Sequence, residues 1–212
     1  MAGRRAVRYV ALGDSYTIGT ALDDPSERWP SQLVAALAGR PPGLRLVANL
    51  GVNGFTSGDV IARELPRLAA LRPDLVSLLV GVNDVVQGVS EATYAANVDR
   101  ILGELLGRLG PDRIVTVSTP DYTVTPSGAD YGDPGLQSAA IRRNNAILRD
   151  ASMSRGITWV DIHDLSLRAA ADRSLVADDG LHPSGAQYRL WVERIAPAVT
   201  AMIGLAGADA TG

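Results

Sequence analysis

The sequence predicts an α/β fold in which one parallel sheet is covered by helices on both faces. Two observations carry this prediction. Short runs rich in β-branched residues alternate with amphipathic helical patterns along the chain, and one of these runs, LVSLLVGV at 75–82, is apolar apart from Ser77. A strand that is apolar on both sides is typical of a parallel sheet buried between helices. The length of 212 residues suits one domain whose core needs no disulfide or metal.

Five runs predict the strands, and the patterns between them predict the helices. The clearest helix follows Ser90, a favourable N-terminal cap, and places its apolar residues on one stripe before Gly110 ends it. The pattern at 58–71 is weaker because Pro66 interrupts it. The predicted strands span 7–12, 44–50, 75–82, 113–119 and 157–162, and the predicted helices span 30–38, 58–71, 91–109, 136–154 and 185–203.

This alternation indicates parallel strands joined by right-handed crossovers. Five strands in a chain of this length favour the flavodoxin-like strand order 2-1-3-4-5, a three-layer sandwich, over the longer six-stranded Rossmann order. We therefore predict a single domain over residues 1–203. A long loop rich in Pro and Gly is predicted at 120–135, and a flexible C-terminal tail at 204–212.

The composition excludes several classes of function. The chain has no cysteine and only two histidines, so thiolate chemistry is excluded and a His-rich zinc site is not expected. The net charge of −3 gives no basic field for nucleic acid. The apolar runs are too short to span a bilayer, and the N-terminal apolar segment is too short for a signal peptide. We expect a cytoplasmic protein that uses no metal or cofactor, although a leader already removed would leave no trace.

Polar or glycine-rich turns follow four of the predicted strands. Ser15 lies in GDSYT after the first strand, and the segments at 51–59, 81–85 and 178–185 follow the second, third and fifth strands. The carboxyl ends of parallel strands meet at one edge of the sheet, and ligands bind there at the point where the strand order reverses. The four segments are therefore predicted to converge on one rim.

The residues of this rim suit acyl transfer by a serine nucleophile. Ser15 is the candidate nucleophile and His182 the candidate base, and Asp179, three residues before the histidine, can hold one of its ring nitrogens. Asp178 competes for this last role, but the three-residue offset favours Asp179. The candidate donors for an oxyanion hole are the backbone N–H groups of Ser15 and Gly54 and the side-chain amide of Asn83.

Four further residues on or near the rim have alternative interpretations. His163, in VDIHD at the end of the fifth strand, is a rival candidate for the base because it lies on the same rim. Asp14 is predicted to be a turn or capping residue that supports the nucleophile loop. Tyr122 and Tyr131, in the long loop, either line the substrate pocket or only hold the loop in place.

Four blocks of this sequence resemble those that define the SGNH hydrolases, also called the GDSL esterase/lipase family. GDSYTIG matches the first block at Ser15, NLGVNG the second at Gly54, GVND the third at Asn83, and DGLHPS the fourth at Asp179 and His182. The blocks occur in the family's order over residues 13–184, and Val82 stands where the family often has a small or hydroxyl-bearing residue. The resemblance implies a flavodoxin-like fold, a Ser–His–Asp triad at the serine, histidine and aspartate named above, and oxyanion donors at Ser15, Gly54 and Asn83.

Together these observations predict a serine hydrolase that cleaves carboxylic esters of small molecules through an acyl-enzyme intermediate. The loop at 120–135 has few large apolar residues, which favours short acyl chains. The alternatives are a carbohydrate O-deacetylase, a lysophospholipase or a thioesterase on the same site, and a non-catalytic flavodoxin-like binding module. The sequence lacks the phosphate-binding loop and the G-x-G-x-x-G spacing of nucleotide-binding modules. It leaves the oligomeric state open.

Overall fold

The structure, a computed structural model, describes residues 5–40 and 42–205, without the side chain of Leu205. Its sheet has five strands, namely β1 Val7–Gly13, β2 Leu44–Asn49, β3 Leu75–Leu79, β4 Ile114–Val117 and β5 Thr158–Val160. The strands lie in the order β2-β1-β3-β4-β5, and each neighbouring pair is parallel. The predicted five-stranded, flavodoxin-like α/β fold is confirmed.

The helices alternate with the strands, and the long ones begin and end within three residues of their predicted bounds. The helix predicted at 91–109 begins after Ser90, whose Oγ accepts a hydrogen bond from Thr93 N, but it ends at Gly107 and not at Gly110. The helices are α1 Ser15–Ile18, α2 Trp29–Ala36, α3 Ser57–Asp59, α4 Leu68–Leu71, α5 Val82–Val86, α6 Glu91–Leu106, α7 Pro134–Met153, α8 His163–Leu167 and α9 Gly185–Leu205.

The helix predicted at 58–71 is wrong as a single element. The segment consists of α3, a π-helical turn at Val60–Glu64, a 3-10 turn at Leu65–Arg67, and α4. Pro66 has no backbone N–H and lies in the 3-10 turn, where a regular ladder of α-helical hydrogen bonds cannot continue. The segment therefore reaches from β2 to β3 as a series of short turns.

The segment predicted as a loop at 120–135 is also more regular than expected. It contains 3-10 turns at Tyr122–Val124 and Gly128–Tyr131, and α7 begins at Pro134. At the C-terminus, α9 continues to Leu205, so the predicted flexible tail begins with two helical residues. The rest of that predicted tail, at 206–212, lies outside the described residues.

The sheet separates two apolar cores because successive residues of a strand face opposite sides. On one side Tyr9 of β1 packs in a cluster with Trp29 of α2 and Trp191 of α9. On the other side Val10 packs in a cluster with Leu102 of α6, and both side chains are fully buried. Helices thus cover both faces, and the carboxyl edge of the sheet stays open between them.

Gly51, two residues after β2, lies against the backbone of the turn that follows β1. A Cβ at this position would lie 2.6 Å from the carbonyl oxygen of Asp14 and 2.7 Å from the backbone nitrogen of Ile18. Both atoms belong to the main chain, so neither can move away without displacing α1. Glycine is the residue that allows this close approach.

Substituting Gly51 by alanine is therefore expected to lower the free energy of unfolding by about 1–3 kcal/mol, the usual cost of overpacking. Urea denaturation of the two proteins measures the difference. The control is Gly103→Ala in α6, where nothing lies within 4 Å of the added Cβ. That change is expected to raise the free energy of unfolding by about 0.5–1 kcal/mol because alanine favours the helix. Equal effects of the two substitutions would contradict this account of Gly51.

Candidate active site

Ser15 is the first residue of α1, directly after β1, and its side chain faces a space at the carboxyl edge of the sheet. Asp14 caps this short helix, as predicted, because its Oδ1 accepts a hydrogen bond of 2.9 Å from Tyr16 N. Gly13 has φ +147°, and a Cβ there would lie 2.1 Å from the carbonyl oxygen of Leu79. The chain can turn out of the sheet at this point only because Gly13 has no side chain.

The Asp179–His182 turn brings a carboxylate and an imidazole together. Asp179 Oδ2 lies 2.6 Å from His182 Nδ1, and Asp179 Oδ1 accepts hydrogen bonds of 2.9 Å from the backbone nitrogens of Leu181 and His182. Burial acts to raise the pKa of Asp179, but the hydrogen bonds from the His182 ring and the two backbone N–H groups outweigh it and hold the pKa below its ordinary value. Because Asp179 stays ionised, it favours the tautomer with the proton on Nδ1 and leaves Nε2 free to act as a base.

The segment at 120–135 supports this turn from outside. Ser127 N donates a hydrogen bond of 2.9 Å to the carbonyl oxygen of Gly180, and Ser127 Oγ donates one of 3.3 Å to that of Asp179. On the inner side, the ring of Tyr16 lies with its centroid 5.3 Å from that of His182. The imidazole is therefore held between the nucleophile turn and the long segment before α7.

The two other candidate oxyanion donors lie on loops that are hydrogen-bonded to each other. Gly54 has φ +79°, with open space where a Cβ would point, and its carbonyl oxygen accepts a hydrogen bond of 2.7 Å from Gln87 Nε2. Asn83 Nδ2 donates a hydrogen bond of 2.9 Å to the carbonyl oxygen of Phe55. This contact uses one amide hydrogen of Asn83 and orients the group, and the second amide hydrogen remains for a ligand.

Asp84, next to Asn83 in α5, links α5 to Ser57 at the start of α3. Its buried carboxylate accepts a hydrogen bond of 2.9 Å from Ser57 N and a shorter one from Ser57 Oγ. Burial raises the pKa of Asp84 even though the hydrogen bonds from Ser57 lower it. Asn97 of α6 donates to Ser57 Oγ and extends the network into the core.

All the predicted site residues except Asp179 border one cavity of about 210 Å³. Part of its wall is apolar, formed by Val82, Val86 and Leu181. Both tyrosines of the long segment also line it. Tyr122 is buried and donates a hydrogen bond of 2.9 Å to Gln137 Oε1, whereas Tyr131 is 42% exposed, with its ring centroid 5.7 Å from that of Tyr122. Tyr122 thus both lines the cavity and holds the segment in place. The residues brought to the cavity are Ser15, Gly54, Asn83, Tyr122, Tyr131 and His182.

The two rival residues lie elsewhere. His163 borders a separate cavity, beside Trp159, and its Nε2 lies 3.6 Å from Asp121 Oδ2. Asp178 is exposed and borders a third hollow on the surface, whereas its neighbour Asp179 contacts the His182 ring. The structure does not bring His163 or Asp178 to the cavity of Ser15.

Sequence reasoning missed Glu64, which lies directly beneath the nucleophile turn. Its Oε2 accepts a hydrogen bond of 3.0 Å from Gly13 N, and the side chain is only 1% exposed. Burial raises the pKa of Glu64 to about 9 and that of Asp14, which is fully buried, to about 7. One signal was available in the sequence: Glu64 lies four residues from both Val60 and Leu68, on the apolar face of its segment.

In the part of the chain that the structure describes, no three His, Cys, Asp or Glu side chains are grouped so that they could hold a metal ion. Nor is any helix within residues 5–40 and 42–205 both long and apolar enough to cross a bilayer.

Comparison with known proteins agrees with the motifs. The profile of the GDSL-like lipase/acylhydrolase family matches residues 11–190. An arylesterase of Vibrio mimicus is 29% identical over 102 residues, which make up 48% of this chain and 50% of that protein. The chain therefore matches only half the length of this curated relative.

Solved structures share the fold along almost the whole chain. A lipase/acylhydrolase from Enterococcus faecalis has a TM-score of 0.74 at 20% identity, covering 92% of this chain and 96% of its own. An acetylxylan esterase from Geobacillus stearothermophilus has a TM-score of 0.71 at 20% identity, covering 96% and 97%. At these identities the likeness is one of fold.

Removing the buried Asp84 carboxylate by Asp84→Ala is expected to lower the free energy of unfolding by about 1–3 kcal/mol, because two donors of Ser57 lose their acceptor. Urea denaturation at neutral pH measures the change. The control is Asp99→Ala on α6, which removes an exposed ion pair with Arg155. Exposed pairs contribute at most about 1 kcal/mol, so the control should stay close to the unmodified protein. A loss at Asp99 as large as that at Asp84 would contradict the role given to the Asp84–Ser57 contact.

Proposed function

This chain belongs to the GDSL-like lipase/acylhydrolase family, and we propose that it is a serine esterase that cleaves carboxylic esters of small molecules through an acyl-enzyme intermediate. One observation carries the proposal. Ser15, Gly54, Asn83 and His182 border a single cavity, and Asp179 lies 2.6 Å behind the His182 ring. A nucleophile, a base with its orienting carboxylate, and oxyanion donors are the parts that acyl transfer needs.

In the proposed mechanism Ser15 Oγ attacks the ester carbonyl carbon while His182 Nε2 takes the hydroxyl proton. Asp179 keeps the Nδ1 tautomer of His182 and stabilises the imidazolium that forms. The tetrahedral intermediate collapses, His182 returns the proton to the leaving alkoxide, and the alcohol departs. Water then attacks the acyl-enzyme with the same histidine as base, which releases the carboxylic acid and restores Ser15.

The hydrogen-bond donors around the cavity stabilise the negative charge that develops on the former carbonyl oxygen. The backbone N–H of Ser15, the backbone N–H of Gly54 and the free amide hydrogen of Asn83 are proposed to receive it. The Asn83 side chain is already oriented by its bond to Phe55, so it need not reorganise as the charge develops. Preorganised donors of this kind stabilise the transition state more than the ground state.

The proposed substrates are esters of short acyl chains. The cavity is small, at about 210 Å³, and its aliphatic wall consists of Val82, Val86 and Leu181, beside the tyrosine rings that line it. Such a wall accepts an acetyl to butyryl group but offers little further surface to a long chain. The name of one structural neighbour, an acetylxylan esterase, agrees with a small acyl group.

A carbohydrate O-deacetylase is the second candidate, and Tyr131 is the observation that favours it. Its ring is 42% exposed at the rim and stands edge-on to Tyr122. An exposed aromatic ring at the mouth of a small cavity can pack against a sugar ring or an aryl group of the alcohol portion. Comparing the release of acetate from acetylated xylo-oligosaccharides and from aryl acetates separates the two candidates.

Loss of the nucleophile or the base tests the proposal directly. Ser15→Ala and His182→Ala are each expected to lower kcat by several orders of magnitude, and the double variant should be little worse than either, because the two groups act as a unit. Hydrolysis of p-nitrophenyl acetate measures the rates, and covalent labelling by a fluorophosphonate reports Ser15 independently.

The control for these variants is His163→Ala, because His163 borders a different cavity. It is expected to retain most of the activity. If His163→Ala is inactive while His182→Ala is active, the assignment of the base is wrong. If the unmodified protein hydrolyses no ester and takes up no fluorophosphonate, the chain is a non-catalytic member of its family.

The acyl preference is tested with a series of p-nitrophenyl esters of increasing chain length. Each methylene that finds an apolar wall contributes about 0.8 kcal/mol, so an enzyme with a long acyl groove gains several-fold in kcat/KM per carbon. Here kcat/KM is expected to be greatest for acetyl to butyryl esters and to be flat or falling beyond about six carbons. A steady rise through decanoyl esters would contradict the short-chain proposal and favour a lysophospholipase or another lipase.

A further inference from the structure

Two buried carboxyl groups lie against the turn that carries Ser15, and the proposed mechanism uses neither. Glu64 is 1% exposed and Asp14 is fully buried. Each has one oxygen bonded to the backbone of the turn: Glu64 Oε2 accepts from Gly13 N on one side of Ser15, and Asp14 Oδ1 accepts from Tyr16 N on the other. Each has its second oxygen buried without a hydrogen-bond partner among the described residues.

The surroundings of Glu64 do not suit an ionised carboxylate. A buried carboxylate needs several donors or an ion-pair partner to offset the loss of water, and within the described part of the chain Glu64 receives only the one hydrogen bond from Gly13. Among the described residues Glu64 forms no ion pair, and the charges that act on it are those of Asp14, Asp59 and Arg67. A neutral carboxyl group fits this site, because its carbonyl oxygen accepts from Gly13 N and its hydroxyl can donate.

We propose that Glu64 is a positioning residue for Ser15 and that it works as a neutral, protonated acid. Its carbonyl oxygen fixes Gly13 N, and its O–H on Oε1 is available to the unpartnered Oδ2 of Asp14. Together the two side chains clamp the backbone before and after Ser15. Glu64 touches neither the substrate cavity nor His182, so it acts through the nucleophile turn alone.

Ionisation of Glu64 removes the hydroxyl donor and adds a negative charge that acts on Asp14, on which the charge of Asp84 also acts. Burial raises the pKa of Glu64 to about 9, since the hydrogen bond from Gly13 and the charge of Arg67 offset only part of the effect of burial. The proposal therefore predicts that kcat falls as the pH rises through about 9.

The stability of the folded protein is also expected to fall as the pH rises. The pKa of Glu64 is raised in the folded protein from an ordinary value of 4.5, so the folded state holds a proton that the unfolded state releases in this window. The free energy of unfolding contributed by this group is full below pH 4.5 and falls as the pH rises towards about 9. Glutamine at position 64 cannot ionise and does not have this dependence.

The test compares Glu64→Gln, which keeps the acceptor for Gly13 N and mimics the neutral acid, with Glu64→Leu, which removes it. At neutral pH the glutamine variant is expected to keep kcat within about twofold, and the leucine variant to lose about tenfold or more in kcat with little change in KM, because the nucleophile is misplaced. Above about pH 9 the unmodified protein should lose kcat while Glu64→Gln does not. The rates are followed by pH-stat titration of a short-chain ester.

Three kinetic outcomes would overturn the proposal: equal losses in the glutamine and leucine variants at neutral pH, an unchanged kcat in Glu64→Leu, or the same alkaline fall in Glu64→Gln. The control, Glu104→Gln on the exposed surface of α6, should keep the full pH dependence. The rate measurements rest on the proposed esterase function.

Urea denaturation tests the neutral acid without that function. As the pH rises, the free energy of unfolding of Glu64→Gln must increase relative to that of the unmodified protein, whether or not either protein hydrolyses esters and even if Glu64→Leu does not fold. If the free energies of unfolding of the two proteins change in parallel with pH, Glu64 is not a neutral acid in the folded protein.

Discussion

Close packing of backbone at the ends of β1, β2 and β3 is the constraint on which the candidate site depends. A Cβ on Gly13 would lie 2.1 Å from a carbonyl oxygen of β3, and one on Gly51 would lie 2.6 Å from the carbonyl oxygen just before Ser15. A Cβ on Gly81, which has φ +138°, would lie 2.7 Å from the hydroxyl of a tyrosine in α6. Because these residues have no side chain, the ends of β1, β2 and β3 can share one small space.

The carboxyl groups around this space differ in their pKa values, and burial together with hydrogen bonding accounts for the difference. Asp179 is partly exposed and receives three hydrogen bonds, so it stays ionised and can orient the imidazole of His182. Burial raises the pKa values of Asp14 and Glu64, because the hydrogen bonds that they accept from Tyr16 N and Gly13 N offset only part of the loss of water. The charge of the candidate site is therefore concentrated behind the base, where a catalytic imidazolium needs it.

The sequence predicts most of the sheet and part of the site, and the physical reasons for the rest are specific. The strand order follows from alternation and chain length, and α6 follows from a long apolar stripe. The short helices α1, α5 and α8 span only four or five residues, too few for a periodic pattern to reveal them. The separation of His182 from His163 depends on which cavity each ring borders, and the importance of Glu64 depends on burial. Both are consequences of tertiary packing, to which the spacing of Glu64 from Val60 and Leu68 gave only an indirect signal.

The segment at 120–135 contributes both to the wall of the cavity and to the position of the Asp179–His182 turn. Through Tyr122 and Tyr131 it forms part of the wall of the cavity, and through Ser127 it holds the backbone of the Asp179–His182 turn. Displacing the segment therefore changes both the space for the ester and the position of the proposed base. Within the proposed mechanism, selectivity and rate are coupled through the segment before α7.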